Sequence, residues 1–186
     1  MRKKLCVLYH NEHCYTKNMA ENIKIGSEDK GVESFMWDVN YAAKNLDVLD
    51  DMDAIVFGSP THFGSVSAEM KLLMDSTVDI WNKKKWRNKI AAGFTHSSAM
   101  NGDKLSVLMQ IFIFSQQHGM IWTGLDLKSC EVVDEYGDEP LNIMGSWSGL
   151  MDISPSKNIQ NKVNDNKTAR YFGARLATVT NNFNQV

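Results

Sequence analysis

Strong charge of either sign is missing from this chain: 20 Lys and Arg face 22 Asp and Glu, a formal net charge of −2. That leaves no electrostatic footprint for nucleic acid or an anionic lipid surface, so neither is expected as a partner. Cysteine is scarce. Cys6, Cys14 and Cys130 follow no zinc spacing and cannot all pair, which points to a reducing, cytoplasmic setting. No apolar run approaches the roughly 20 residues that span a bilayer, and Tyr9 to His13 ends the first one too early for a secretory segment. Repeats, linkers and low-complexity tracts are absent as well. What remains is an ordinary apolar fraction of 43% over 186 residues, enough to bury about 70% of the unfolded surface. One domain over 1–186 is the expectation.

The chain is organised around residues 53–77. Ala54-Ile55-Val56-Phe57-Gly58 is a short apolar run suited to a strand buried on both faces. Val66, Met70, Leu73 and Met74 recur at helical spacing. Ser59 to Ser65 lies between them, and its glycines and hydroxyls can bring backbone N–H groups close to a flat ligand. Similar apolar runs mark strands at Leu5–Tyr9, Val32–Trp37, Ile90–Thr95 and Met120–Thr123. Helices are expected over Lys17–Ile25 (with Gly26 as its stop), over Leu105–His118 and over Lys167–Phe183. Residues 124–155 read as an irregular excursion, too long for a passive loop. Alternating strands and helices imply an α/β, flavodoxin-like doubly wound fold, a five-stranded parallel sheet of order 2-1-3-4-5 with helices on both faces.

The segment Gly58-Ser59-Pro60-Thr61-His62-Phe63-Gly64-Ser65-Val66-Ser67, with Met70-Lys71, Asp75-Ser76-Thr77, Trp81 and His118-Gly119-Met120, resembles a known family. It is similar to the flavodoxin-like NAD(P)H:quinone oxidoreductases named after the tryptophan-repressor-binding protein. The resemblance implies FMN as cofactor, NAD(P)H as co-substrate and a quinone-like planar acceptor. It places Pro60, Thr61, His62, Phe63 and Gly64 along one edge of the flavin ring. Thr95, His96, Ser97, Ser98 and Asn101 match the loop that runs under the ring toward the phosphate. Asn11, Cys14, Tyr15 and Thr16 match the phosphate loop after the first strand. His118 matches a histidine on the flavin's reactive side, which with His62 would assist proton delivery. Trp81 matches an aromatic that closes the pocket from a neighbouring subunit, implying a homodimer or homotetramer.

Single positions depart from the family pattern, and so does Met100-Asn101-Gly102, where the family is often richer in glycine. Asn11 replaces a serine, an exchange its amide tolerates. Cys14 replaces a glycine, and at positive φ a Cβ costs roughly 1–2 kcal/mol. His62 replaces an arginine, exchanging a fixed charge for a switchable one. A second reading follows from Asn11 and Cys14: a flavodoxin-fold protein with weak or lost FMN binding, acting as a binding module or electron carrier. Ala20 counts against a phosphatase loop built on Cys14, because that chemistry needs an arginine there. His10, His13 and Cys14 lack a fourth ligand at suggestive spacing, so no metal site is expected.

Overall fold

The computed structural model describes residues 2–10, 14–154 and 165–183. Its strands are β1 (Lys4–Tyr9), β2 (Glu33–Asp38), β3 (Ala54–Pro60), β4 (Ile90–Ser97), β5 (Ile121–Trp122) and β6 (Leu150–Ile153). Its helices are α1 (Tyr15–Asp29), α2 (Val39–Ala42), α3 (Ala68–Ser76), α4 (Val78–Asn82), α5 (Lys104–Gln117) and α6 (Asp165–Asn182). All strand pairings are parallel, in the order β2-β1-β3-β4-β5 that the alternation implies. β3 and β4 are buried almost throughout, as continuous apolar runs in a covered parallel sheet should be.

Two apolar clusters line the two faces of the sheet. Leu5, Val7 and Tyr9 of β1 point toward α1 and α6, while Cys6 and Leu8 point toward α3 and α5. The alternation is the period of two inherent in a strand. The second cluster is anchored by Trp86, fully buried and ringed by Phe57, Phe114 and His118.

Two expectations are corrected here. Gly26 does not stop α1, which continues to Asp29; the left-handed Gly31 (φ 84°) turns the chain out instead. Gly26 lies where α1 crosses α6, and a Cβ there would fall 1.9 Å from the Arg170 carbonyl oxygen. The stretch 124–155 is also not wholly irregular. β6 lies within it and pairs with the carboxyl half of β4 (Phe94 with Leu150 to Ser97 with Ile153), while β5 pairs with the amino half. The fifth position of the sheet is thus one strand interrupted by an excursion. Its return is fastened by Leu125 N–H donating to the Trp147 carbonyl at 3.0 Å and Trp122 Nε1 donating to the Ser148 carbonyl at 2.9 Å.

Candidate functional site

Parallel strands bring the ends of β1, β3 and β4 to one edge, and the order reverses between β1 and β3. That switch point is where an open α/β sheet leaves a crevice. Three loops meet there.

The first runs from β1 into α1. Cys14, the residue before the helix, is left-handed (φ 63°, ψ −15°), the conformation that makes a glycine useful at this place. Its side chain caps nothing. The first bond of the helix is Asn18 N–H to the Cys14 carbonyl at 3.0 Å, so the amides of Tyr15, Thr16 and Lys17 precede the helical ladder. Such a terminus accepts an anion through its N–H groups and dipole. Asn11 lies outside the described residues. Replacing Cys14 by Gly should relieve the left-handed penalty of about 1–2 kcal/mol, less about 0.5–1 kcal/mol for the added freedom of the unfolded chain. The expected result is a melting temperature higher by roughly 2 °C, with tighter cofactor binding in titration. A lower melting temperature would show that the thiol packs usefully where it is.

The second loop follows β3. His62 and Ser65 exchange backbone hydrogen bonds of 3.0 and 2.9 Å around a tip of Phe63 (φ 49°) and Gly64 (φ 72°). Two consecutive positive φ values define a tight primed turn. The tip is clamped from α5, where Gln110 Nε2 donates to the Gly64 carbonyl at 3.1 Å and Gln110 Oε1 accepts from Ser65 Oγ at 3.0 Å. Phe63 stands fully in solvent (109% exposed), which suits an aromatic ring with a flat ligand to cover. Pro60 proves to be the last residue of β3 rather than a loop residue. The loop's base is tied to β4 by Thr61 N–H to the His96 carbonyl at 2.8 Å and by the Thr61 and Thr95 hydroxyls, 2.8 Å apart.

The third loop follows β4. Thr95 ends the expected strand, but β4 runs on through His96 and Ser97, which were expected in the loop; Thr95 and His96 are buried. His96 joins three elements: Nε2 meets Thr16 Oγ1 of α1 at 2.8 Å, Nδ1 meets Ser154 Oγ beyond β6 at 2.5 Å, and the Tyr15 ring lies edge-on at 5.9 Å. Ser98 and Asn101 are exposed in the loop itself. That loop hangs on Lys104, a fully buried side chain whose Nζ donates to the carbonyls of Ala99 (2.6 Å) and Met100 (2.9 Å).

Lys104 and Gln110 were not legible as site residues, because an isolated Lys or Gln on an apolar helix reads as its solvent face. His10, weighed from the sequence only as a metal ligand, is a third residue of this edge. It is nine-tenths buried at the end of β1, with Nε2 3.5 Å from Glu69 Oε2 and no hydrogen-bond partner at Nδ1 among the described residues.

The structure does not bring His118 and Trp81 to these loops. Both lie where α3–α4 and α5 end, at the amino edge of the sheet. His118 is packed between Trp86 and Phe114, ring centroids 4.7 Å from each, with Nε2 3.0 Å from Thr77 Oγ1. Burial lowers its pKa to about 4, so it is neutral at pH 7. Trp81 is half-exposed, its Nε1 donating to the Gln117 carbonyl at 3.0 Å. Among the described residues no cluster of His, Cys, Asp and Glu could hold a metal ion, and no helix is long and apolar enough to cross a membrane.

The carboxyl-edge donor set fits a phosphorylated flat cofactor. An uncapped helix terminus meets a phosphate, threonine and serine hydroxyls meet a polyol, and backbone amides beside Phe63 meet a ring. Comparison with known proteins agrees. Residues 12–124 match the NADPH-dependent FMN reductase family. Flavodoxin FldP of Pseudomonas aeruginosa is 30% identical over 95% of this chain and 96% of its own. A Sinorhizobium fredii protein named NAD(P)H dehydrogenase (quinone) is 26% identical, covering 66% of this chain and 70% of its own. The crystal structure of a WrbA-like flavodoxin from Agrobacterium tumefaciens superposes with a TM-score of 0.75 at 29% identity, over 96% of this chain and 98% of that one.

Proposed function

This chain belongs to the NADPH-dependent FMN reductase family, and on that premise we propose that it is a cytoplasmic, FMN-dependent NAD(P)H oxidoreductase whose acceptor is a quinone or similar planar molecule. The observation that carries the reading is the meeting of three loops at the carboxyl edge: the start of α1 joined to β4 by Thr16 and His96, the clamped Phe63 turn joined to β4 by Thr61, and the Lys104-held loop beside Gly64. The relatives named NAD(P)H dehydrogenase (quinone) support the acceptor class.

FMN, when bound, supplies the two-electron chemistry, so the protein's task is to hold, orient and screen. The first-turn amides of α1 would hold the phosphate, and Ser97 and Ser98 would meet the sugar-like chain, with buried Thr16 fixing His96 behind them. The backbone of Thr61 to Ser65 would border the ring. Phe63 would cover it and exclude water. His62, exposed on the same turn, would hand a proton to an acceptor there. His118 cannot take that part in its own chain, because it sits neutral in the core at the far edge.

Trp81 can close a flavin pocket only on a neighbouring copy, which supports a homodimer or homotetramer. The outer faces of α3, α4 and α5 expose Leu72, Val78, Trp81, Met109 and Ile113, an apolar surface suited to self-association. The flavodoxin name of the relative matching almost the whole chain favours the second reading, an electron carrier. A net charge of −2 is weak for docking a basic reductase.

One series separates the readings. Nucleotide-stripped protein is titrated with FMN, then assayed with NADPH and a soluble quinone. Micromolar saturation followed by parallel double-reciprocal lines is expected, since one crevice serves donor and acceptor in turn. No binding at about 100 μM, weaker than about −5.5 kcal/mol, would end the flavoenzyme reading. Tight FMN binding without NADPH oxidation would leave the carrier.

A further inference from the structure

Behind the first turn of α1 sits a buried imidazole whose two nitrogens both meet hydroxyls. His96, 6% exposed near the end of β4, has Nε2 2.8 Å from Thr16 Oγ1 and Nδ1 2.5 Å from Ser154 Oγ. Thr16 is the second residue of α1, and its amide is one of those that precede the helical ladder. One hydroxyl thus separates the ring from the place where α1 would receive a phosphate.

The groups packed against the ring set what it can do. From α1 comes the Tyr15 ring, edge-on at 5.9 Å. From β6 comes Asp152, its partner in the parallel register and so on the same face of the sheet. From β3 comes Pro60, which carries no charge. A carboxylate beside an imidazole favours the protonated ring. Lys17, the cation of the same turn of α1, is paired with Glu21 at 3.8 Å.

Hydroxyl partners leave both charge states of the ring satisfied, since each can donate or accept. A neutral ring donates at one nitrogen and accepts at the other, so one hydroxyl must donate to it. A protonated ring donates at both, and both hydroxyls then accept. In that state Thr16 Oγ1 turns its own proton away from the ring. A backbone carbonyl or amide in place of either hydroxyl would have fixed one form.

The dipole of α1 decides which form prevails. By itself the positive end of the helix opposes an imidazolium behind it. A phosphate dianion on the same amides reverses the sign. We propose that His96 is a positioning residue for the cofactor's phosphate, taking up a proton from solvent as the phosphate binds the first turn of α1 and passing its charge forward through the Thr16 hydroxyl. Binding that takes up a proton weakens as pH rises through the titration of the ring. That the anion is the phosphate of FMN rests on the function proposed above; the coupling of His96 to an anion at α1 does not.

The test compares the wild type with His96→Gln, whose amide can reach Thr16 but cannot take a charge. Circular dichroism and thermal melts confirm the fold of both. FMN and riboflavin, which lacks the phosphate, are titrated into nucleotide-stripped protein between pH 6 and pH 8. The advantage of the wild type over the variant in FMN affinity should fall about fivefold or more from pH 6 to pH 8, as one coupled proton implies. The ionisation of FMN's own phosphate is common to both proteins and cancels. Riboflavin should show no such change. Calorimetry at pH 7 in two buffers of different ionisation enthalpy should find proton uptake on FMN binding in the wild type and none in the variant.

An FMN affinity lowered by the same factor at every pH would make His96 a structural tie and overturn the proposal. Equal pH dependence in the two proteins, or the same pH dependence with riboflavin, overturns it as well. If the wild type binds no FMN, the proposed function fails, and inorganic phosphate then decides the coupling. At about 50 mM phosphate the melting temperature should rise more at pH 6 than at pH 8 in the wild type, but not in His96→Gln. An equal rise in both proteins refutes it.

Discussion

Replacing Gly173 by Ala should lower stability by about 3 kcal/mol, at the upper end of overpacking costs, and the melting temperature by roughly 6–12 °C. A Cβ at Gly173 would lie 2.0 Å from the Ile23 carbonyl oxygen of α1, and one at Gly26 would lie 1.9 Å from the Arg170 carbonyl oxygen of α6. Each helix thus rests its backbone on the other at a glycine. The obstacle is main chain, so no rotamer change relieves it and the axes must part. Parting them also strains the bonds that lock the pair: Arg170 Nε to Asn22 Oδ1 at 3.0 Å and Asn181 Nδ2 to the Lys30 carbonyl at 3.0 Å. It opens the cluster of Met19, Ala20, Ile23, Phe172 and Leu176 as well. Helix propensity argues the other way, since Ala is favoured over Gly by about 1 kcal/mol within a helix. The two terms have opposite signs, so one thermal melt decides. A variant as stable as the wild type would mean that the crossing yields cheaply. Gly26→Ala should behave alike, and the double variant should cost less than the sum, because one separation serves both.

The second large effect is expected at Lys104. Lys104→Met keeps much of the stem but withdraws the ammonium from the Ala99 and Met100 carbonyls. Hydrogen bonds from a charged donor contribute about 1.5–3 kcal/mol each. Relief of a buried charge offsets part of this, leaving a net loss of roughly 2 kcal/mol. The loss is concentrated in the loop after β4, which already carries two left-handed residues, Gly102 (φ 55°) and Asp103 (φ 55°). A Cβ on Gly102 would sit 2.1 Å from Ser97 Oγ, so the loop folds back on the strand end and has little slack. Without its tether the loop should lose hydrogen-exchange protection, and FMN affinity should fall at least about tenfold, by about 1.4 kcal/mol or more. Unchanged affinity together with unchanged protection would show that the loop holds itself.

These residues mark the boundary of what the sequence could tell. The strands were legible because a strand buried on both faces must be a short apolar run, and Ala54–Phe57 is one whatever surrounds it. Sheet order followed from alternating strands and helices, since parallel strands need crossovers and crossovers have one hand. The Phe63 turn was visible from its glycine and hydroxyl content, and Cys14 was marked by standing where a glycine is usual; its φ of 63° is the geometry that glycine serves.

Gly26 was misread because a glycine after a helical stripe has the same local signature whether it ends the helix or admits another backbone; only the position of α6, some 140 residues later, decides. β6 was hidden for the same reason. Its four residues are a strand because the carboxyl half of β4 is open to pair with them, not because of their own pattern. Lys104, Gln110 and His96 gain their roles from carbonyls and hydroxyls on other elements, which no periodicity records. The placing of Trp81 and His118 at the far edge is likewise a matter of direction: α3 and α5 run back against the strands, so whatever ends them is carried away from the crevice. Patterns of two and 3.6 residues report which face of an element is apolar. Where two elements touch, and at which end of the sheet, is settled only when distant parts of the chain are packed together.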